Sequence, residues 1–320
     1  MNQQQKRCLK PGILLLFLVS ISVSVSGYVK PDTSYVGLYM KNLYDLRPEE
    51  YSYSADFWLW FNSTDTTSNP LENIEIVNAK QTTYTDASWS PVSGGLANET
   101  GRATLIHDWK SENYPFDKQY LRIDLEANLD TTKMILLPAK NGFGLYSELL
   151  LPGWKISSHR IRLKTIRYDS DFGDKSLSGK SAYSRIIYEI EIKRHRWGLF
   201  LKLFVGVYVS FLVNFMAFFL PPARDQRFGL SIGGLFAAIA NKYVMDSNIP
   251  VSVSFSYVDQ VHVLTFIFIL LTLILSVVSL KISKNNQHHG RERFDRNCAI
   301  LVGLSYVVLN ATLVIVAIRS

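Results

Sequence analysis

Three groups of residues in this chain have types and spacings that could carry chemistry. Gly229-Leu230-Ser231-Ile232-Gly233 has the Gly-x-Ser-x-Gly spacing of a nucleophile elbow. That chemistry needs the serine on a strand-to-helix turn above an α/β sheet, whereas this serine lies inside an apolar helical stretch, so catalysis is not expected. Asp169, Asp171 and Asp174 crowd one polar stretch and read either as a cation site or as a solvated turn. The third group is Asp225, Gly229, Gly233, Phe236, Ala240, Tyr243 and Ser247, which recur every three or four residues and so share one helical face. Asp225 opens that face, Phe236 stands midway and Asp246 lies beside its far end. Carboxylates at the ends of a neutral face attract cations and repel anions, and an aromatic midway can close a narrow path by dewetting. His288-His289 reads as a solvated pair, and no phosphate loop or dinucleotide fingerprint is present. Neither a metal nor a cofactor is expected.

The elements that must position these residues follow from composition. Of 320 residues 48% are apolar and 19% charged, with a formal net charge of +7, and 17 Tyr, 18 Phe and 6 Trp supply ample surface to bury. This excludes an acidic disordered chain. The basic excess sits beside apolar runs (Lys193, Arg194, Arg196; Arg291, Arg293, Arg296), which fits membrane flanks and not a nucleic-acid face. The two cysteines, Cys8 and Cys298, lie outside residues 28–196, so no disulfide framework is available there.

Residues 1–27 show Lys6, Arg7 and Lys10, an apolar run and then small residues up to Gly27, the pattern of a secretory signal peptide. Residues 28–196 alternate in short β-rich runs broken by Gly, Pro, Asn and Asp, which predicts an all-β, immunoglobulin-like sandwich. Asn62-Ser-Thr64 and Asn98-Glu-Thr100 are glycosylation sequons there. Residues 197–320 predict four membrane helices, at 197–220, 228–247, 258–280 and 298–318. The second is half apolar and rich in small residues, suited to a place among helices or facing water. With the N-terminus outside, four spans return the C-terminus outside. Arg224, Arg227 and the basic connection after the third span then fall inside, as the positive-inside rule requires. This places the chain in the cell membrane, or the inner membrane of a Gram-negative cell. Lys193 and Arg194 fall on the outer side and are expected to find acidic partners, with Asp45, Glu49 and Glu50 as candidates.

At Trp109-Lys-Ser-Glu-Asn-Tyr114-Pro115-Phe116-Asp117-Lys-Gln119 the chain resembles the signature loop of pentameric ligand-gated ion channels. The resemblance extends over a β-sandwich, a basic step at Lys193-Arg194, four spans and an Ile249-Pro250 turn after the second. His107 and Leu121 stand where animal Cys-loop receptors carry their paired cysteines, and the third and fourth spans are joined by the short Lys281–Arg293 segment; both features resemble the bacterial branch. The first span lacks the usual proline and carries Lys202, able to snorkel to the interface.

The resemblance implies a homopentamer whose permeant ions pass along the second spans, so that Asp225 forms a cation-selecting ring, Asp246 a second ring and Phe236 the gate. Pairing of Asp225 with Arg224 or Arg227, and packing of Phe236, are the alternatives. It also implies a coupling layer made of Asp45, Glu49, Glu50, Tyr114, Pro115, Phe116, Asp117, Lys193, Arg194, Ile249 and Pro250, the alternative being static salt bridges. Its ligand site would lie under the 167–183 hairpin with Tyr168, Phe172 and Tyr183, beside Phe143 and Tyr146, for a small molecule such as an amine or for protons. Tyr and Phe are abundant throughout this domain, so each of these aromatics by itself reads first as ordinary core or surface. Gly229 and Gly233 offer none of the hydroxyls usual in such a pore, and the adjacent Gly233 and Gly234 cost a helix about 1 kcal/mol each relative to Ala. That leaves two rival readings, a non-conducting membrane-anchored sensor and an anion channel with an arginine facing the axis.

Overall fold

A computed structural model describes residues 30–177, 179–221, 225–248, 255–284 and 288–319. Residues 1–27, where a signal peptide is expected, and Arg224, Ile249 and Pro250 lie outside them.

Strands come first. They are β1 (Asp32–Arg47), β2 (Ser52–Ser63), β3 (Ile74–Ile76), β4 (Ala79–Ser90), β5 (Leu96–Ile106), β6 (Lys118–Asp130), β7 (Met134–Leu145), β8 (Trp154–Tyr168) and β9 (Ser181–Arg194). They form two sheets, ordered β4-β5-β2-β1-β7 and β3-β6-β9-β8. Every pairing is antiparallel except β1 with β7.

The two-residue period of a strand explains the core. Tyr53, Ala55, Phe57, Leu59 and Phe61 of β2 point inward, as do Leu121, Ile123 and Leu125 of β6 and Ile186, Tyr188, Ile190 and Ile192 of β9, and all join one apolar cluster between the sheets. Gly101 sits beneath the Phe57 ring, where an added Cβ would come within 2.4 Å of the ring. The intervening residues face outward. The edge strand β4 is exposed on both faces over most of its length.

Four helices follow: α1 (Arg196–Phe215), α2 (Gln226–Asn248), α3 (Tyr257–Lys284) and α4 (His288–Arg319). All four are long and apolar enough to cross a membrane. α3 and α4 extend beyond the expected 258–280 and 298–318 because charged residues propagate a helix as well as apolar ones do; apolarity marked the spans and not the helix ends. Lys281, Arg293 and Arg296 are therefore helical instead of lying in a loop.

Candidate functional site

α2 has two unlike faces. Asp225, Gly229, Gly233, Phe236, Ala240, Tyr243 and Ser247 are all exposed, with Phe236 at 67%. Arg227, Ser231, Gly234, Ala238 and Met245 are buried on the other side. The small residues divide between the faces. An added Cβ on Gly234 would come within 2.9 Å of the Ser210 carbonyl oxygen of α1, whereas Gly229 and Gly233 face open space. Gly206 of α1 likewise makes room for Asn241 of α2. Small residues at these crossings let the two helices approach closely.

Asp225 stands at the start of α2, its carbonyl accepting the Phe228 and Gly229 amides at 3.1 Å. The dipole of the helix favours a carboxylate there. Arg227 does not neutralise it. Arg227 is fully buried, and its guanidinium donates to both carboxylate oxygens of Asp295 in α4 (3.1 and 2.9 Å). It also donates to Ser276 Oγ (3.1 Å) and Ser279 Oγ (3.3 Å) of α3, and Ser279 in turn donates to Asp295 at 2.9 Å. One buried cation thus joins three helices at the N-terminal end of α2. At the other end Lys242 pairs with Asp246 and, at 2.7 Å, with Asp259 of α3. His262 of α3 reaches Asn241 of α2 at 3.0 Å. None of these cross-helix partners was singled out from sequence, because each joins residues far apart in the chain.

The signature loop joins the two halves of the molecule. Tyr114 and Phe116 are buried in a cluster with Phe200 and Phe204 of α1, Met245 of α2 and Tyr257 of α3. The Phe116 ring lies 5.6 Å from Phe200, 5.8 Å from Tyr257 and 6.1 Å from Trp197. Pro115 follows Tyr114 through a cis peptide. The Tyr257 amide, at the start of α3, donates to the Glu112 carbonyl at 2.7 Å. Asp117, buried, accepts Arg194 at 2.8 Å and Gln119 at 2.8 Å. The Arg194 guanidinium also lies over the Trp154 and Tyr114 rings, at 4.0 and 4.9 Å. Lys193 pairs with Glu191 at 3.1 Å. This corrects the expected partners of the basic step: the acids are Asp117 and Glu191, because β9 runs beside β6 and carries its own alternating acids. Glu50 instead pairs with Arg47, and its carbonyl accepts Lys80; among the described residues Asp45 and Glu49 bond neither the loop nor the helices. No protein-family model matches this chain, and no curated protein does.

The aromatic candidates separate. Tyr168, Phe172 and Tyr183 stand together, their ring centroids 5.4 to 5.9 Å apart. The Tyr168 hydroxyl donates to Glu126 at 2.9 Å and accepts from Arg185 at 3.0 Å. Phe143 belongs elsewhere, edge-on to Tyr188 and His159. Tyr146 is exposed and donates to Glu148. On the hairpin, Asp174 accepts from Ser176 and Lys133, which hold its carboxyl down at about 2. Asp171 and Asp174 each accept the amide two residues on, from Gly173 and Ser176, both at 3.0 Å.

One titratable group went unnoticed in the sequence although its phase was readable. Glu99 alternates with Ala97, Gly101 and Ala103 on the inward side of β5, opposite Leu59, and is 7% exposed. Burial alone pushes its carboxyl up to about 7. The native state therefore keeps the proton up to about pH 7, while the unfolded chain releases it near 4.5. Stability from this group is complete below about pH 4.5 and is lost as pH rises through about 7. Thermal melts of the whole chain in detergent are expected to lose up to about 3 kcal/mol across that window, and Glu99→Gln is expected to flatten the decline. Parallel profiles for the two proteins would show that Glu99 is not the source.

Proposed function

We propose that the chain is one subunit of a homopentameric cation channel of the ligand-gated type, opened by a ligand or protons acting on its β-domain, with that domain on the outer side of the cell membrane and α2 lining the path of the ions. The observation that carries this reading is the exposed stripe of α2. Its opposite side is packed by α1 and α3, yet Asp225, two glycines, Ala240 and Ser247 stay uncovered on a helix long enough to span a bilayer. The Asp225 carboxylate would be costly against hydrocarbon, so we read this face as lying against water or another copy of the chain. Five copies around an axis would cover the flanks of α2 and leave the stripe on a shared lumen. The double-faced exposure of β4 fits the same assembly, since natural proteins cover long edge strands.

The buried Arg227 favours a cation path over an anion path, because its charge is balanced by Asp295 and the exposed charge at the start of α2 is, among the described residues, Asp225. Signals from the β-domain would reach the helices through Tyr114, Phe116 and the Asp117–Arg194 pair. The Tyr168, Phe172 and Tyr183 triad supplies π faces for a ligand cation, and protons are the other class of agonist.

The test is current from the purified chain in liposomes under a salt gradient, while pH, calcium and a panel of amines are varied. A cation-like reversal potential supports the channel. An anion-like one rejects the Asp225 filter, and silence from a pentamer confirmed by mass favours the non-conducting sensor. Asp225→Asn is expected to move the reversal potential most of the way towards zero. An unchanged value would remove Asp225 from the filter.

A further inference from the structure

The outward face of the second sheet carries a cavity of about 490 Å³, bounded by β6, β8, β9 and the segment after β5. Five cationic side chains line it (Lys110, Lys118, Arg122, Arg160 and Arg162), against two carboxylates, Asp108 and Glu189. The cluster follows from register. Arg122 lies opposite Glu189 and Glu189 opposite Arg160, so a basic-acidic-basic row crosses three strands.

The two carboxylates differ in what they do. Glu189, its side chain 3% exposed, accepts Arg160 on one oxygen at 2.5 Å and Arg162 on the other. It holds two guanidiniums side by side while 58% and 46% of their side chains remain exposed. A guanidinium has five N–H donors, so both keep donors for a further acceptor. Arg160 also lies 5.7 Å above the Tyr120 ring, which fixes its plane. Arg122 pairs with Asp124. Among the described residues neither Lys110 nor Lys118 makes an ion pair. Gln119 fastens the wall that carries Lys110, accepting the Lys110 amide at 3.2 Å and donating to its carbonyl at 2.7 Å.

Aligned guanidiniums held from below, with two unpaired ammonium groups across the cavity, match an acceptor bearing several negatively charged oxygens. We propose that this cavity binds a small multivalent oxyanion, with phosphate oxygens bridging Arg160 and Arg162 and the charge shared with Lys110 and Lys118. The site stands apart from the α2 stripe and from the aromatic triad, and does not rest on the channel reading. Because Lys118 opens the strand that follows the signature loop, where the β-domain meets the helices, the phosphate can come from solution or from a lipid headgroup.

The experiment uses the full chain in phosphatidylcholine nanodiscs, with pyrophosphate as the probe and calorimetric titration as the readout. Wild type is expected to bind in the micromolar to millimolar range, more weakly as salt rises. The Lys110→Gln/Lys118→Gln double variant, which breaks no ion pair, is expected to melt with wild type and bind at least tenfold more weakly. Equal binding by the two proteins, or heat no greater than from sodium chloride at matched ionic strength, overturns the proposal. A second arm replaces pyrophosphate with phosphatidylglycerol in the disc. If that lipid raises the melting temperature of wild type but not of the variant and competes with pyrophosphate, the headgroup is the source. If pyrophosphate alone discriminates between the two proteins, the source is the soluble anion.

Discussion

Asp295→Ala is expected to be among the most damaging single changes in the helical half. Arg227 is completely buried, and its charge is balanced only by Asp295, at 2.9 Å. Removing the carboxylate leaves a cation among Ser276, Ser279 and the Leu220 carbonyl, none of which carries a compensating charge. Breaking a buried pair from one side costs about 3–5 kcal/mol, whereas replacing both members by apolar groups of similar size is often neutral or better. The Arg227→Met/Asp295→Leu double variant should therefore recover most of the loss. Melting temperature and the yield of folded protein in detergent check this. A single variant that melts with wild type would show that water or lipid reaches Arg227, and a double variant as poor as the single would show that the hydrogen bonds to α3 matter more than charge.

Phe236→Ala is expected to turn a closed pathway into a leaking one. Phe236 is the largest apolar group midway along the exposed stripe, is 67% exposed and joins none of the apolar clusters of the described residues. In the proposed assembly five such rings meet and hold the constriction dry when it is narrow. Truncation to a methyl group widens and wets it, so ion flux into liposomes without any agonist should rise at least tenfold. Phe236→Leu, which stays apolar and bulky, should leak far less. Flux equal to wild type in the alanine variant would place the gate elsewhere on α2. Because the side chain is exposed, neither variant should shift the melting temperature by more than a surface change does, which separates a gating effect from misfolding.

Periodicity made much of the molecule readable. The alternation in Tyr53 to Phe61 and in Ile186 to Ile192 marked inward-facing strands, and the runs after Trp197 marked four apolar helices, since burial of one face imposes a period of two on a strand and 3.6 on a helix. The glycines of α2 were readable as a small-residue stripe but not as two separate groups. Only the position of α1 shows that Gly234 answers a close approach and that Gly233 does not.

Phase was also enough to say that Asp225 and Arg227, two residues apart and so roughly 200° around a helix, cannot share a face. It could not say which of them faces inward. That was decided by Asp295, which lies 68 positions further along the chain and reaches Arg227 only once α2 and α4 have both packed against α3. The same holds for Arg194, whose partner proved to be Asp117 across the β6–β9 pairing and not the nearer-seeming acids at 45–50. It holds too for Glu99, whose inward phase is written in β5 but whose lack, among the described residues, of a hydrogen-bond or ion-pair partner is a property of the assembled core. Local sequence determines which way a side chain points along its own strand or helix, because that depends on backbone geometry alone. Which charge it meets depends on the packing of elements distant in the chain, and this the tertiary structure decided.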